Sequence, residues 1–115
     1  MNLHLLLVTF SLRNPNKDYT PFFVALRGYS QNWWHYIEQT VIVAANYNAA
    51  AFNNFLIENI EETDSLLVVE INAANCQGWL PPFAWKWIQD VSRQVNQEQR
   101  LKAILAPPTK PNLLK

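Results

Sequence analysis

The chain has 115 residues, half of them hydrophobic, with five Trp and six Phe, and this composition is typical of one globular domain and excludes a disordered chain. Nine basic and nine acidic residues cancel to a formal net charge of zero, so the chain lacks the overall positive charge of a dedicated nucleic-acid-binding protein. The single cysteine, Cys76, excludes an intramolecular disulfide and is compatible with a reducing compartment.

The first predicted element is a strand at residues 3–12, LHLLLVTFSL, which is apolar at nearly every position. A run of this length fits a central strand that is buried on both faces. The run is too short to span a membrane, and no basic residues precede it as they do in a secretion signal. We therefore expect a soluble, cytoplasmic protein without a membrane segment.

A predicted helix follows the turn RNPN at residues 13–16. We expect Asp18 or Thr20 to cap this helix and Pro21 to lie in its first turn. The apolar face of the helix is formed by residues at helical spacing, namely Tyr19, Phe22, Phe23, Leu26 and Tyr29.

Residues 32–47, NWWHYIEQTVIVAANY, are rich in aromatic and β-branched side chains, which favour strands. The length of this stretch indicates two strands with a break near Glu38–Thr40, or one long bent strand. Asn48 is predicted to cap a second helix. The apolar stripe of that helix is formed by Ala49, Phe52, Leu56 and Ile60.

Residues 65–71, SLLVVEI, are the last predicted strand. A C-terminal helix begins near two prolines, and we predict that it frays or breaks at residues 96–99, NQEQ, before a short second piece and a proline-rich extended tail. The predicted organisation is therefore one domain at residues 1–95 and a helical and extended tail at residues 96–115.

The predicted order is strand, helix, strand, strand, helix, strand and an added C-terminal helix. Helices on one face of a mainly antiparallel sheet define the α+β class, and the ferredoxin-like split βαβ arrangement fits this order best. The strands at residues 3–12 and 65–71 are apolar on both faces, so the open side of the sheet needs a cover. A second copy of the chain and the C-terminal helix are both candidates, and we predict a homodimer.

Several stretches resemble one protein family when they are taken together. VTFSLRNPNKDY resembles an opening of the form SYDL followed by N-x-P-x-K-D-Y, and WWHYIEQTVIVAANYNAAAF resembles a strand pair of the form HYL-x-S-T-W-x-V. ETDSLLVVEI and GWLPPFAWKWI resemble D-x-L-L-V-I-E-I, GWL and AWEWL. These patterns cover about residues 1–90 and are those of small uncharacterised bacterial proteins described as SinR-like. That group is distantly similar to the ferredoxin-like nuclease subunit of CRISPR spacer acquisition.

The resemblance implies a homodimer in which an acid at the end of the first strand of each protomer binds a divalent metal ion. The matching position here is Ser11, and a neutral hydroxyl is a weak ligand for Mg²⁺. Without the acid, the chain lacks the ligand that would hold the metal ion for phosphodiester hydrolysis. We therefore favour a non-catalytic protein and assign no metal ligands. Ser11 and Asp18 are the weak candidates for catalytic residues. A Mg²⁺ or Mn²⁺ cofactor is expected only if the chain is a nuclease.

Other chemistry finds less support in the sequence. His35 is interpreted as a structural histidine that is hydrogen-bonded at a sheet edge. The alternative, a role in acid–base catalysis, would need a nearby partner, for which Glu38 is the candidate. The histidines and the cysteine lack zinc-ligand spacing, and two glycines are too few for a phosphate-binding loop. The dense aromatic side chains are interpreted as core or interface residues rather than as a platform for stacking bases.

Two functions remain open. The first is a non-catalytic interaction module, a homodimer that can also bind a partner protein. The second is a divalent-metal-dependent nuclease or nucleic-acid-binding protein, because residues 86–115 carry six basic and two acidic residues whereas residues 1–85 carry three and seven. The predicted phosphate contacts are Arg13, Lys17, Lys86, Arg93, Arg100 and Lys102.

Overall fold

A computed structural model describes residues 3–105, apart from the side chains of Tyr36, Gln99, Lys102 and Ala103. This part of the chain has an α+β fold with a four-stranded antiparallel sheet and three α-helices. The elements are β1 (His4–Ser11), α1 (Thr20–Gly28), β2 (Asn32–Ile37), β3 (Thr40–Ala45), α2 (Ala49–Ile57), β4 (Ser65–Glu70) and α3 (Pro82–Leu105), with a single 3₁₀ turn at Ala73–Asn75.

The sheet has the strand order β2-β3-β1-β4, and all neighbouring strands are antiparallel. β1 and β2 therefore run in the same direction, with β3 between them. β1 pairs with β3 and with β4 without a register shift. The central position of β1 confirms the strand that its nearly continuous apolar run predicts, because a central strand is hydrogen-bonded on both edges and can be covered on both faces.

One face of the sheet, here called the helix face, packs against α1 and α2. Alternate residues of β1 point to this face, as the two-residue period of a strand requires. Phe10 contacts Phe22 of α1 edge to face, with ring centroids 5.1 Å apart. The buried core on this side consists of Leu6, Val8, Phe10, Phe22, Leu26, Val41, Val43, Ala45, Phe52 and Leu56.

The opposite face, here called the outer face, is partly covered by α3. Ala84, Ile88 and Val91 of α3 are buried together with Leu5 and with residues of β2 and β3. The C-terminal helix thus packs on the sheet of its own chain. Its cover is incomplete, since Leu67 of β4 keeps 57% of its surface exposed.

The β2–β3 hairpin confirms the predicted break near Glu38–Thr40, because β2 ends at Ile37 and β3 begins at Thr40. Two residues make the turn, and Gln39 has a φ of 60°, the one positive φ of a non-glycine residue in the described chain. Its carbonyl accepts a hydrogen bond from the backbone N–H of Phe10 at 3.0 Å, which ties the turn to β1.

The two helix caps have different outcomes. Asn48 caps α2 as predicted, and its side chain accepts a hydrogen bond from the N–H of Ala51 at 2.9 Å. The cap predicted for α1 is wrong, because the N-cap residue is Tyr19 and no side chain caps the helix. Asp18 lies one residue too early and accepts instead from the N–H of Thr20, within a local turn.

The predicted break at residues 96–99 is also wrong, since α3 continues through them to Leu105. Residues 83–105 contain no Gly or Pro and several strong helix formers, so nothing in the backbone chemistry ends the helix there. The predicted domain boundary after residue 95 falls inside this helix, and the division into a domain and a tail stays a prediction. The predicted extended tail, residues 106–115, lies outside the described residues.

Within residues 3–105, none of the helices combines the length and the apolar character needed to cross a membrane. The predicted cytoplasmic location stays a prediction.

Replacing Ile88 with Ala tests the packing of α3 on the outer face. Ile88 is 1% exposed, so we expect its truncation to lower the free energy of unfolding by about 2–5 kcal/mol, the usual cost of such a cavity. Leu101→Ala is the matched control on the same helix, because Leu101 is 54% exposed and its truncation should change stability by about 0.5 kcal/mol or less. Urea unfolding followed by tryptophan fluorescence measures both, and equal effects would contradict the packing.

Candidate functional site

Ser11, the position that the resemblance singles out, is the last residue of β1 and is half-buried. It lies opposite Ser65 of β4. Its Oγ accepts a hydrogen bond from Nε of Arg13 at 3.2 Å. Around it lies a shallow depression of about 330 Å³ between the β1–β4 pair and the hairpin residue Gln39.

Asp18, the second weak catalytic candidate, is exposed at the start of α1. Hydrogen bonds from the hydroxyl and the backbone N–H of Thr20 stabilise its carboxylate and lower its pKa, against a small opposing effect of desolvation. No hydrogen bond or ion pair joins Asp18 to Ser11, so the structure does not unite the two candidates. Within the described residues, no group of three or more His, Cys, Asp and Glu side chains is placed to hold a metal ion.

The sequence reasoning missed Asp64, which joins two loops at this end of the sheet. Its carboxylate accepts from the backbone N–H of Arg13 at 2.8 Å, from the backbone N–H of Glu61 at 2.9 Å and from the hydroxyl of Tyr19 at 2.8 Å. The loop after β1 is thereby held against the loop before β4. The signal in the sequence is the stretch EETD at residues 61–64, because an acid directly before a strand is well placed to accept such bonds.

Asp64 and Tyr19 have pKa values that move in opposite directions. Partial desolvation acts to raise the pKa of Asp64, but the hydrogen bonds from Arg13, Glu61 and Tyr19 and the charge of Lys17 together lower it. Desolvation raises the pKa of Tyr19, and the neighbouring carboxylate of Asp64 adds to the increase. The pair is therefore stable as a neutral phenol that donates to an ionised carboxylate.

The basic residues fall into two separate groups. Arg13 and Lys17 lie in the β1–α1 loop, where the ammonium of Lys17 is 5.7 Å from the ring centroid of Tyr19. Lys86, Arg93 and Arg100 are exposed on α3. No hydrogen bond, ion pair or ring contact joins the two groups, and the side chain of Lys102 lies outside the described side chains.

Lys86, Arg93 and Arg100 share one side of α3, here called the basic face. A spacing of seven residues is close to two helical turns, and Ile88 on the other side of the helix is buried against the sheet. The basic face therefore points away from the sheet. It also contains Asp90, whose Oδ2 is 2.8 Å from Nζ of Lys86 and whose Oδ1 is 3.4 Å from Nη2 of Arg93. The hydrogen bond from Lys86 lowers the pKa of Asp90, with a further contribution from Arg93.

α3 leaves part of the outer face uncovered, and this part is here called the outer patch. Its apolar centre is Leu7, Val69 and Leu67, of which the last two are 40% and 57% exposed. Every outer-face position of β1, β3 and β4 carries an apolar side chain or a neutral hydroxyl. The hydroxyls of the outer patch are those of Thr9, Ser11, Thr40 and Ser65.

The outer patch continues to the free edge of β4. β4 is the last strand on its side of the sheet, and no described strand pairs with its outer edge. Its sequence SLLVVE contains no Lys, Pro or Gly, its one charged residue, Glu70, stands at its C-terminal end, and its pairing with β1 has no bulge. Edge strands with so little protection along their length are ready to pair with another strand.

The remaining aromatic and histidine predictions have mixed outcomes. Trp34 is buried in the outer-face core, as predicted, but Trp79 is fully exposed and Trp33 is 45% exposed. No hydrogen bond to the side chain of His35 is found within the described residues, so the structural bond predicted for it is not present there. His4 is hydrogen-bonded through Nδ1 to Oε2 of Glu70 at 2.9 Å, across the β1–β4 pair.

Comparison with known proteins found no matching family model, no matching curated protein and no matching solved structure. The resemblance to the SinR-like group therefore stays a prediction from the quoted motifs.

Lowering the pH tests the role of Asp64. Its folded-state pKa is lowered, so the stability it contributes is present above its unfolded pKa of about 3.9 and is lost as the pH falls through the folded value. Tyr19 behaves in the opposite sense, because its pKa is raised and its contribution is lost as the pH rises through the folded value, above about pH 10. We expect Asp64→Asn to be destabilised at neutral pH and to lose less further stability in acid than the wild type.

Urea midpoints measured between about pH 7 and about pH 2 show this difference directly. Glu62→Gln is the matched control, since Glu62 is an exposed carboxylate of the same loop without a hydrogen bond among the described residues. If Asp64→Asn and the wild type lose stability in parallel, the carboxylate does not hold the loops.

Proposed function

We propose that this chain is a ferredoxin-like interaction module that forms a homodimer through the outer patch and has no catalytic role of its own. The ferredoxin-like assignment is supported by the element order of β1 to β4 with α1 and α2, and by the strand order β2-β3-β1-β4. In this view α3 is an addition that covers part of the outer face.

The outer patch is the observation that carries the proposal. Leu67 and Val69 are exposed side by side on an ordered strand, and burying apolar surface of this kind contributes roughly 25 cal/mol per Å². The backbone around them is fixed by the ladder between β1 and β4, so little conformational freedom is lost on binding. A rigid apolar surface of this type is suited to contact with another protein.

The chemistry of the outer patch favours a protein partner over a nucleic acid. Phosphate groups are bound by cations and by backbone N–H groups, whereas the patch offers only apolar side chains and neutral hydroxyls. Arg13 lies at its rim, where it donates to Ser11. An apolar centre with a polar rim is the arrangement of protein–protein interfaces.

A structural role for Ser11 supports the absence of catalysis. Its Oγ is engaged by Arg13 at the end of β1, and a hydroxyl in this position is a weak metal ligand. The half-buried thiol of Cys76 has no partner cysteine in the sequence, which is compatible with action in the reducing cytoplasm.

Replacing Leu67 with Arg tests the homodimer. In the dimer Leu67 of each protomer contacts apolar side chains of its partner, and Arg would replace two such symmetric contacts with a charge, so we expect the dimer dissociation constant to rise about tenfold, or about 1.4 kcal/mol. Val24→Arg is the matched control, because Val24 is 56% exposed on α1, away from the outer face. Light scattering over a wide range of protein concentration measures the assembly. A wild type that stays monomeric, or a Leu67→Arg variant that assembles like the wild type, would overturn the proposal.

The basic face of α3 favours nucleic-acid binding as a second candidate function. Arg93 and Arg100 are exposed and aligned on it, and the helix presents them to solvent. Asp90 neutralises part of this charge through Lys86 and Arg93, which makes the basic face weaker than a dedicated phosphate-binding surface. Binding through it would depend strongly on salt, because counterions are released from the phosphates.

A gel-shift assay at low salt tests this candidate with labelled single- and double-stranded RNA and DNA. If the basic face binds phosphates, we expect the double variant Arg93→Gln with Arg100→Gln to weaken binding roughly 10-fold or more, since two phosphate contacts are lost. Arg27→Gln on α1 is the control. Mg²⁺ or Mn²⁺ is included in parallel samples, and metal-dependent cleavage by the wild type or by Ser11→Asp would support the nuclease instead. Without a salt-sensitive shift, this second candidate is withdrawn.

A further inference from the structure

We propose that two copies of the chain join edge to edge through antiparallel β4 strands, with Val68 on the two-fold axis. The two sheets then form one continuous sheet. This inference rests on the proposed homodimer and specifies that its contact runs along the β4 edge of the outer patch, so Leu67 and Val69 meet the partner's side chains beside them on the sheet and the face of the patch stays open.

The direction of the free hydrogen-bonding groups of β4 follows from its pairing with β1. The backbone N–H of Ile71 donates to the carbonyl of Leu5 at 2.9 Å, in the same register that pairs Leu6 with Glu70. Hydrogen-bonded and non-hydrogen-bonded pairs alternate along an antiparallel ladder. Residues 65, 67, 69 and 71 therefore turn their N–H and C=O groups toward β1, and residues 66, 68 and 70 turn theirs outward.

A two-fold axis limits the possible registers. Two identical edge strands related by such an axis run antiparallel, and each contact occurs twice. Only pairings of outward residues with outward residues form hydrogen bonds. Centring the axis on Val68 pairs Val68 with the partner's Val68 and pairs Leu66 with the partner's Glu70, so all three outward residues of β4 are used.

The neighbouring registers are less favourable. Centring the axis on Leu67 places Glu70 opposite the partner's Asp64, and like charges directly opposite each other destabilise a strand pair. Centring it on Val69 places Leu66 opposite the partner's Asn72, which lies beyond the end of β4 at the start of the 3₁₀ turn. The register centred on Val68 avoids both problems.

The same register joins the two outer patches. Leu67 lies opposite the partner's Val69 on the outer face, and Val69 lies opposite the partner's Leu67. The exposed apolar side chains of the two protomers then form one continuous strip across the axis. Cross-strand apolar pairs of this kind each add to the stability of the ladder.

Disulfide trapping tests the register. In a Cys76→Ser background, Leu67→Cys and Val69→Cys variants with tags of different size are mixed and exposed to mild oxidant. The predicted register makes these two positions a non-hydrogen-bonded pair with Cα atoms about 4.5 Å apart, within disulfide range. The same position in the two protomers, 67 and 67 or 69 and 69, lies on a diagonal of the strand pair, with the two residues about 7–8 Å apart. We expect a cross-link between the two variants and little cross-linking of either variant alone. A Trp79→Cys variant, with its thiol fully exposed, reports random collisions.

Replacing Glu70 with Pro tests the edge contact by a second route. Proline removes an N–H that points outward, so the ladder with β1 keeps its hydrogen bonds. We expect the dimer dissociation constant to rise about tenfold, since one bond is lost in each of two symmetric contacts. Glu70→Gln keeps the N–H and is the control, and circular dichroism confirms that both variants are folded.

The outcomes separate this inference from the proposed function. Dimers in light scattering, a selective 67–69 cross-link and weaker assembly of Glu70→Pro support both. Dimers that cross-link only through like positions, or that form equally well with Glu70→Pro, overturn the β4 register and leave the homodimer in place. A wild type that remains monomeric overturns the homodimer and this inference together.

Discussion

β1 carries hydrogen bonds on both of its edges and apolar side chains on both of its faces. Its pairing with β3 and β4 sets the register of the sheet, and its alternating residues anchor a core on each side. α1 and α2 pack on the helix face because Leu6, Val8 and Phe10 present an apolar surface there. The outer patch exists because the same strand presents apolar side chains to the other side, where α3 reaches only part of the sheet.

Asp64 supplies a second, polar constraint, which holds together the loop after β1 and the loop before β4. It connects loops that are about fifty residues apart in sequence, and it does so by accepting hydrogen bonds from backbone N–H groups of both loops. The loop after β1, which contains Arg13 and leads to α1, is therefore positioned by a residue before β4. A site built on Ser11 or Arg13 depends on that distant carboxylate.

The sequence predicted the strands and the first two helices well, because long apolar runs and helical spacing are local signals. It failed where the outcome depends on distant partners or on the absence of a signal. The partners of Asp64 come from another loop, and α3 runs through residues 96–99 because nothing there ends it. The sequence named α3 as one possible cover of the outer face but not how much of that face it covers, since the reach of α3 depends on how it crosses the sheet. Ser11 was singled out by resemblance alone, whereas the outer patch required the strand order.

The position of α3 after all four strands has a consequence for folding during synthesis. A ribosome makes β4 before it makes α3, so the sheet and its helix face can form while Leu5, Trp34 and Ile42 on the outer face are still bare. For that interval the growing chain exposes a wide apolar surface beside an unprotected edge strand. Exposed apolar surface and an unpaired strand edge make such a chain prone to aggregation, so the release of α3 from the ribosome removes part of that risk.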